Sequence, residues 1–557
     1  MTKIHLTPAP LTDPLYYLHN ARLVIDWCLK HHCDLLLPQE ASALCKVLSV
    51  DTQSQALLIR LVMRKGDLFR LDSLHYAEVG DLGTAIEGFA TTGLVDINPA
   101  LSIMEVCNLL RRAECLAFAR HYLLDSVFRA STGKAVLVDA LSKISNTSDH
   151  LQLNEWWPEA PCQVIRLNCM PLFDLLRLMF FGNLRQDWSE FVLTELGLQQ
   201  YESVPLNTQS RAFRSRDELD HYLCLHQIQL RLADGEPVAA LIDNLPGTIE
   251  SPLLDNRRQL LLFQMGREAE RQNSIDQALL LYTLSQHREA QVRELRLLEK
   301  LEKPAEVFAR AQRALDLVEH PEARISLERI CRRSARKADL AYPARVRINL
   351  PTENLVLTRP AEGGVEQAVI RHLTKETSQA FHVENRLLNG LFALLFWSAL
   401  FAPVRGAFFH PFQDGPADLY RPDFPELRPE LIATCFASFE DGSYRTRIMD
   451  RLRAKKGINC SLIHWPMLEE AFVVQVLELI PPGHLRAIFH HLLLDLRPHR
   501  RGMPDLIYLN PLLGEYCLIE VKGPGDRLQD HQRLWLEFFV TQQIPVRLCH
   551  VTWSESQ

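Results

Sequence analysis

The chain holds 557 residues, of which 47% are hydrophobic and 23% charged. That length exceeds what one core sustains, near ~250–300 residues, and the composition excludes disordered, collagen-like and mucin-like classes. A formal charge of −7 excludes a globally basic nucleic-acid binder and leaves local basic faces open.

Thirteen scattered cysteines without a CxxC pair predict buried, reduced thiols of a cytoplasmic protein rather than a disulfide framework or zinc finger. Cys28, His31, His32 and Cys33 come nearest to a metal cluster, at a spacing that fits no standard zinc pattern. Met1 to Asn20 lacks an apolar h-region, so no signal peptide is read. Residues 1–55 read as a helical region, with Asp26, Lys30 and Asp34 set on one face of the apolar stretch Leu15 to Leu37.

Residues 56–200 open with an amphipathic helix, Leu57 to Gly66, that ends in the basic cluster Arg60, Arg64 and Lys65, with Arg70 beyond. A second unit, Leu82 to Val95, breaks near Gly93. Short helices with such breaks suit a small helical or winged-helix module. The cluster reads either as phosphate contacts or as a solvated helix end. From Glu155 to Pro205 the pattern is mostly helical.

In residues 201–345, Arg211, Arg214 and Arg216 precede a helix from Asp217 to Leu232, where they either clamp a phosphate or decorate the surface. Helix follows helix from there. Ala269, Ala278, Leu279 and Tyr282 sit at tetratricopeptide-like positions, and Gly266 to Glu299 is close to that repeat's ~34-residue period. Near Tyr342 the texture changes. Prolines and Gly363-Gly364 punctuate it, and Val346 to Leu350 and Leu355 to Leu357 alternate as strands. Residues 346–557 form the last domain. Its apolar run Leu391 to Val404 is shorter than the ~18–20 residues a membrane span needs and reads as one buried core helix, so no membrane association is expected.

The last domain holds the specific pattern. Pro504-Asp505 opens an apolar strand to Leu509, Asn510 to Gly514 turns, and Cys517 to Lys522 returns before Gly523-Pro524-Gly525. A helix, Leu528 to Thr541, and a strand, Val546 to Val551, follow. Alternation puts Glu520 and Lys522 on one face, opposite the core-like Ile519 and Val521, and the hairpin brings Asp505 near Glu520. Two carboxylates ~4 Å apart repel by roughly 4 kcal/mol at an effective dielectric of ~20. One lysine cannot neutralise both and an incoming phosphate, whereas a hard divalent cation can. Glu384, before the next apolar helix, is either a further ligand or a helix-end acid. His484, His490, His491 and His499, with Arg486, Arg497, Arg500 and Arg501, make the approach to Asp505 basic, and some of them read equally as surface or core. There is no glycine-rich loop followed by Lys and Ser/Thr, so no NTP hydrolysis is expected.

Arg500-Arg501-Gly502-Met503-Pro504-Asp505-Leu506, Glu520-Val521-Lys522-Gly523-Pro524, Asp526-Arg527-Leu528, His531-Gln532 and Trp535 resemble the VRR-NUC branch of the PD-(D/E)XK nuclease superfamily. Glu384, with the helix after it, resembles the family's preceding acid-bearing helix. Arg60 to Gly66 and Arg211 to Leu223 extend the resemblance to the Fanconi-associated nuclease family in its bacterial form. The resemblance implies a multidomain, mostly α architecture: a helical region, a SAP-like or winged-helix DNA-binding part, tetratricopeptide-like helices and an α/β nuclease domain. It implies a structure-selective DNA nuclease, a 5′-flap endonuclease and 5′–3′ exonuclease of phosphodiesterase I type, acting in interstrand crosslink repair with Mg²⁺ or Mn²⁺, as two ions. Glu384, Asp505, Glu520 and the Val521 carbonyl would bind metal, Lys522 would be the catalytic lysine and Gln532 a supporting polar group.

DNA contacts would come from Arg60, Arg64, Lys65, Arg211, Arg214, Arg216, Arg288, Arg500 and Arg501. The substrate class is branched DNA, namely 5′ flaps and crosslinked or junction DNA, met by a monomer or weak dimer at the bacterial nucleoid. The chain lacks the cysteine and histidine pattern of the ubiquitin-binding zinc finger in eukaryotic relatives. Two other readings stand beside this one. The domain could resolve four-way junctions, which would need a symmetric dimer, or the chain could be a non-catalytic DNA-binding helical-repeat scaffold.

Overall fold

The computed structural model describes residues 13–89, 92–122, 128–143, 150–186, 188, 200–301, 303–318, 321–343, 348–360 and 362–554. It divides into two units, Met1–Gln199 and Gln200–Gln557.

In the first unit the helix Tyr16–His32 buries Tyr17, Ala21, Val24 and Cys28. Cys28 Sγ lies 3.7 Å from the Leu176 carbonyl of the helix Met170–Phe181. The helix Thr52–Val62 starts where the Asp51 carboxylate accepts from the Ser54 N–H, satisfying a donor that has no partner within the helix. The expected division at 55/56 falls inside this helix. The reason is packing: Gln55 accepts from Arg22 Nε at 2.8 Å and donates back to Leu48 and Val50, so both sides share one core. Strands β1 (Leu68–Arg70), β2 (Val95–Ile97) and β3 (Val164–Leu167) form an antiparallel sheet with β3 central. Helices backed by such a sheet have the composition of a winged helix. The stretch expected from Leu82 to Val95 holds a short helix, Leu82–Glu87, and the first residue of β2, with residues 90 and 91 outside the described residues.

The second unit begins as stacked helices. In the pair Pro252–Arg271 and Ile275–Leu284, Gly266 lets the Tyr282 ring approach so closely that a Cβ there would sit 2.7 Å from a ring carbon. That contact is why glycine stands in mid-helix despite its cost. Helices Ala290–Lys300, Pro304–Leu317 and Pro321–Lys337 continue the stack.

A five-stranded mixed sheet follows: β4 (Thr352–Leu357), β5 (Gln379–His382), β6 (Leu506–Asn510), β7 (Glu515–Lys522) and β8 (Val546–Trp553), in the order β4-β8-β7-β6-β5. The strand expected at 346–350 is not where pairing starts. Residues 344–347, and with them the expected 345/346 boundary, lie outside the described residues, and 348–350 are irregular. Pairing begins at the Pro351 carbonyl, which accepts from the Leu548 N–H at 2.8 Å. Proline has no donor for a ladder, so it stands at the strand's entry.

Both faces of the sheet are covered. Ile507, Leu509, Leu518, Val546 and Leu548 join a large core with the helices Arg386–Leu395, Glu470–Leu479, Pro482–Leu494 and Asp530–Thr541. Leu506, Ile519, Val521, Cys549 and Val551 pack on Val369 of the helix Val365–Leu373. The run Leu391 to Val404 is not one helix. It breaks at Phe396 into Arg386–Leu395 and Trp397–Leu400, both buried. Among the described residues no single helix is long and apolar enough to cross a membrane. Arg428 and Asp418, 2% and 1% exposed, form a bidentate pair in this unit at 2.7 and 2.9 Å.

Candidate active site

Antiparallel pairing of Leu506 with Ile519 sets Asp505 opposite Glu520 one step further along the hairpin. The sheet's two-sided burial revises the expected polarity of β7. Tyr516 and Leu518 face the large core, and Glu520 and Lys522 continue their row. The site therefore lies where a core-facing row runs out, not on a solvent face. Glu520 is 0% exposed and Lys522 8%. Lys522 Nζ donates to Glu520 Oε1 at 2.6 Å, and Glu520 Oε2 is buried without a hydrogen-bond partner. Asp505 accepts from the Val521 N–H at 2.9 Å.

The electrostatics record crowded negative charge. Burial, then the charge of Asp505, push the Glu520 carboxyl up to about 7 against the pull of Lys522, with Glu384 adding to the rise. Burial also raises Asp505, opposed by the Val521 N–H and Lys522 and reinforced by Glu366 and Glu384.

Glu384 is not a helix-start acid. It precedes the cap residue Asn385 and holds a left-handed φ of +38°, which costs a side-chain-bearing residue about 1–3 kcal/mol. The strain is held by pairing: the Val383 and Glu384 N–H groups both donate to the Asp505 carbonyl, at 2.8 and 2.9 Å. The Glu384 carboxylate accepts from Asn385 Nδ2 at 3.2 Å. Among the described residues no three acidic, His or Cys side chains stand close enough together to hold an ion as placed. The donor set nevertheless fits a hard divalent cation, because the oxygens are carboxylates, one is buried and unpartnered, and one ammonium opposes several acids.

Asn385 and Asn389 were not singled out from the sequence. Asn385 Oδ1 accepts from the Met503 N–H at 3.1 Å, and Asn389 Nδ2 donates to the Arg500 carbonyl at 2.9 Å. They stand four residues apart on an apolar helix, and that spacing was the available signal. Together they fasten the loop that delivers Asp505. Gly502 in that loop has φ +82°, and a Cβ would meet the His531 ring at 2.5 Å. Trp535 Nε1 donates to the His499 and Arg501 carbonyls, both at 3.0 Å. Gln532 caps its helix instead of reaching the carboxylates, accepting from the Gln529 N–H at 3.1 Å.

The expected basic approach divides. His491 stacks on His499 and Phe538 at 4.1 and 4.0 Å, and burial lowers its pKa to about 3, so it is a neutral packing residue. His484 bonds the Tyr516 hydroxyl at 2.7 Å. The arginines do gather: Arg288, Arg497, Arg500 and Arg501 line a cavity of about 560 Å³ with Tyr420 and His531. Arg288 pairs with Asp495 at 3.3 Å, and the Arg500 guanidinium lies 4.5 Å over the Tyr420 ring.

Other expected contacts are partly engaged within the protein. Arg60 pairs with Glu78 at 2.6 Å and stacks 4.0 Å over Tyr17. Arg64 donates to the Tyr76 hydroxyl, and Lys65 is exposed. Arg211 donates to the Arg214 carbonyl at 3.4 Å, Arg214 is exposed, and Arg216 pairs with Asp220 at 2.8 Å.

A family model described as VRR-NUC domain matches residues 439–553, which include Asp505, Glu520 and Lys522 but not Glu384. One described as FAN1, HTH domain matches residues 15–96. A Fanconi-associated nuclease 1 homolog of Pseudomonas aeruginosa is 42% identical over 546 residues, covering 98% of this chain and 97% of the relative. Human Fanconi-associated nuclease 1 is 22% identical over 98% of this chain and 63% of its own length. A crystal structure of paFAN1 bound to 5′-flap DNA with a gap, its flap two nucleotides long, matches with a TM-score of 0.86 at 40% identity, covering 99% of this chain and 100% of that one. Because both chains are covered almost end to end, this chain belongs to the Fanconi-associated nuclease family and carries its VRR-NUC nuclease domain.

Proposed function

We propose that this divalent-metal-dependent nuclease hydrolyses a phosphodiester of branched DNA that carries a 5′ flap. Asp505, Glu520, Glu384 and the Val521 carbonyl are the metal ligands in this reading, and Lys522 is the catalytic amine. The observation that carries it is the hairpin register that sets Asp505 opposite Glu520 beside Lys522, with one Glu520 oxygen buried and unpartnered. Mg²⁺ or Mn²⁺, as two ions, supplies polarisation of the phosphoryl oxygen and a more acidic attacking water. Lys522 offsets charge that builds on the phosphate, and the Val521 N–H keeps Asp505 aimed. The relatives' flap-bound structures support the substrate class, and the family's role supports action in crosslink repair.

The arginine-lined cavity gives the reading its polarity. Arginine forks match phosphate geometry, and the cavity's Arg501 lies four residues before Asp505. Four residues of extended chain reach at most roughly 14 Å, about four base-pair rises. A terminal 5′ phosphate held there sets the scissile bond a few nucleotides into the duplex.

The test is cleavage of a labelled 5′-flap duplex in Mg²⁺ or Mn²⁺. Asp505→Ala and Lys522→Ala should each lose about 10²–10³ in rate, and EDTA should stop the wild type. Undiminished cutting by Asp505→Ala would overturn the assignment.

A further inference from the structure

We infer that the helical stack carries a second binding site, a basic groove that takes a short acidic peptide segment of a partner protein. The groove encloses about 600 Å³ between the helices Arg216–Ala233, Pro252–Arg271 and Ala290–Lys300, within the ~300–1,000 Å³ of ligand sites. Arg267, Arg271, Arg293 and Lys300 line it against two acids, Glu268 and Glu270. Its net charge is therefore +2, in a chain whose formal charge is −7.

These cations are set in place from behind. Glu270 accepts from Lys300 Nζ at 2.9 Å and from the Tyr282 hydroxyl at 3.0 Å, and Arg293 stands 3.9 Å away. Tyr282 is itself seated by the ring contact that only glycine permits at 266. A cation buttressed this way loses less rotamer freedom on binding. Glu268 holds Arg271, whereas Arg267 is exposed and makes no ion pair with either acid.

The rest of the lining selects the ligand class. Gln229 donates to Gln264 at 3.4 Å and accepts from Arg257 at 3.0 Å, so both amide oxygens are engaged and the amide N–H groups are left to meet the carbonyls of a peptide backbone. Leu232 and Ala233 add an apolar edge. A nucleic-acid strand brings a phosphate at every step and would set some of them against Glu268 and Glu270. A peptide instead spaces its carboxylates, placing them on Arg267, Arg271 and Lys300. Concave faces of stacked helix pairs are binding surfaces of this form.

Fluorescence anisotropy on the full chain tests this with a labelled hexapeptide alternating Asp or Glu with Leu, and a control carrying Asn and Gln in place of the acids. The acidic peptide should bind about tenfold or more tightly than the control, a difference of ~1.4 kcal/mol. Arg267→Glu should weaken it by about tenfold, and Arg267→Lys by less than about threefold. Flap cleavage should stay within about twofold of wild type in both variants, which also reports folding. Equal binding of the two peptides, or full binding by Arg267→Glu, would overturn the site. Displacement of the acidic peptide by a short single-stranded oligonucleotide at lower concentration than by unlabelled peptide would overturn the ligand class.

Discussion

Replacing Glu520 with Gln is expected to silence the enzyme and stabilise the fold. Glu520 is 0% exposed, and its carboxyl is raised from 4.5 to about 7, mainly by burial. At about 1.36 kcal/mol per pH unit, keeping it ionised at alkaline pH costs the folded state about 3 kcal/mol. Gln removes that cost, but it weakens the hydrogen bond from Lys522, which gives back about 1–2 kcal/mol. The net gain is about 1–2 kcal/mol, or a Tm higher by roughly 2–4 °C.

The sign depends on pH. Because the folded value lies above the unfolded one, the wild-type contribution is complete below about 4.5 and is lost as pH rises through about 7. Urea or thermal unfolding in EDTA at about pH 5 and pH 8 measures this. The two proteins should be nearly equal at the lower pH, with the variant ahead at the higher one, and adding Mg²⁺ or Mn²⁺ at the higher pH should stabilise only the wild type. A variant about 3–5 kcal/mol less stable at high pH would instead show that the Glu520–Lys522 contact supports the fold as an ordinary buried ion pair, and would refute the crowded-charge argument.

Three further outcomes follow from the geometry. Asn385→Ala should free the Met503 N–H and slow single-turnover cleavage by about tenfold, with flap affinity within about twofold, since the residue acts through the loop that delivers Asp505. Asp418→Ala should cost about 3–5 kcal/mol in urea unfolding by stranding the buried Arg428 guanidinium, and the pair Asp418→Leu with Arg428→Met should recover most of it. Arg501→Ala should reduce the preference for a 5′-phosphorylated over a 5′-hydroxyl flap by about tenfold, read as a ratio of kcat/KM values.

The hairpin was legible because its signals are local. Asp505, the turn at Asn510 to Gly514 and the alternation through Glu520 and Lys522 need only neighbouring residues to place them. The other elements of the site needed tertiary information. Strand β5 is four residues long and reads as loop until β6 pairs with it. The residues around Glu384 leave it open between a ligand and a helix-end acid, because nothing in its neighbourhood predicts that two consecutive N–H groups will be drawn onto the Asp505 carbonyl. The choice between surface and core for His491 and His499 stays open in the sequence because their packing partners Trp535 and Phe538 stand some forty residues on. Arg60 and Arg216 were assigned outward, but each has an acid within the protein at close range. Arginine identity alone does not separate a phosphate contact from an internal ion pair.

The costs collected around Asp505 argue that this end of the sheet is maintained for its chemistry. A row that is apolar at Tyr516 and Leu518 could continue apolar and would be more stable doing so. It carries instead a fully buried carboxylate with a bare oxygen and a lysine at 2.6 Å, beside a second raised carboxyl and a strained Glu384. Each element is unfavourable alone, and none compensates another by packing. A hard cation held by Asp505, Glu520 and Glu384 would lower the repulsion and desolvation terms together, because it carries two positive charges where Lys522 carries one. Lys522 would then be released from neutralising Glu520 and become available to the phosphate. In the proposed reading the same ammonium would serve Glu520 without the ion and the phosphate with it. Glu520→Gln, which breaks the first role, and Lys522→Ala, which removes the second, should therefore both lower the cutting rate by about 10²–10³ or more while moving stability in opposite directions.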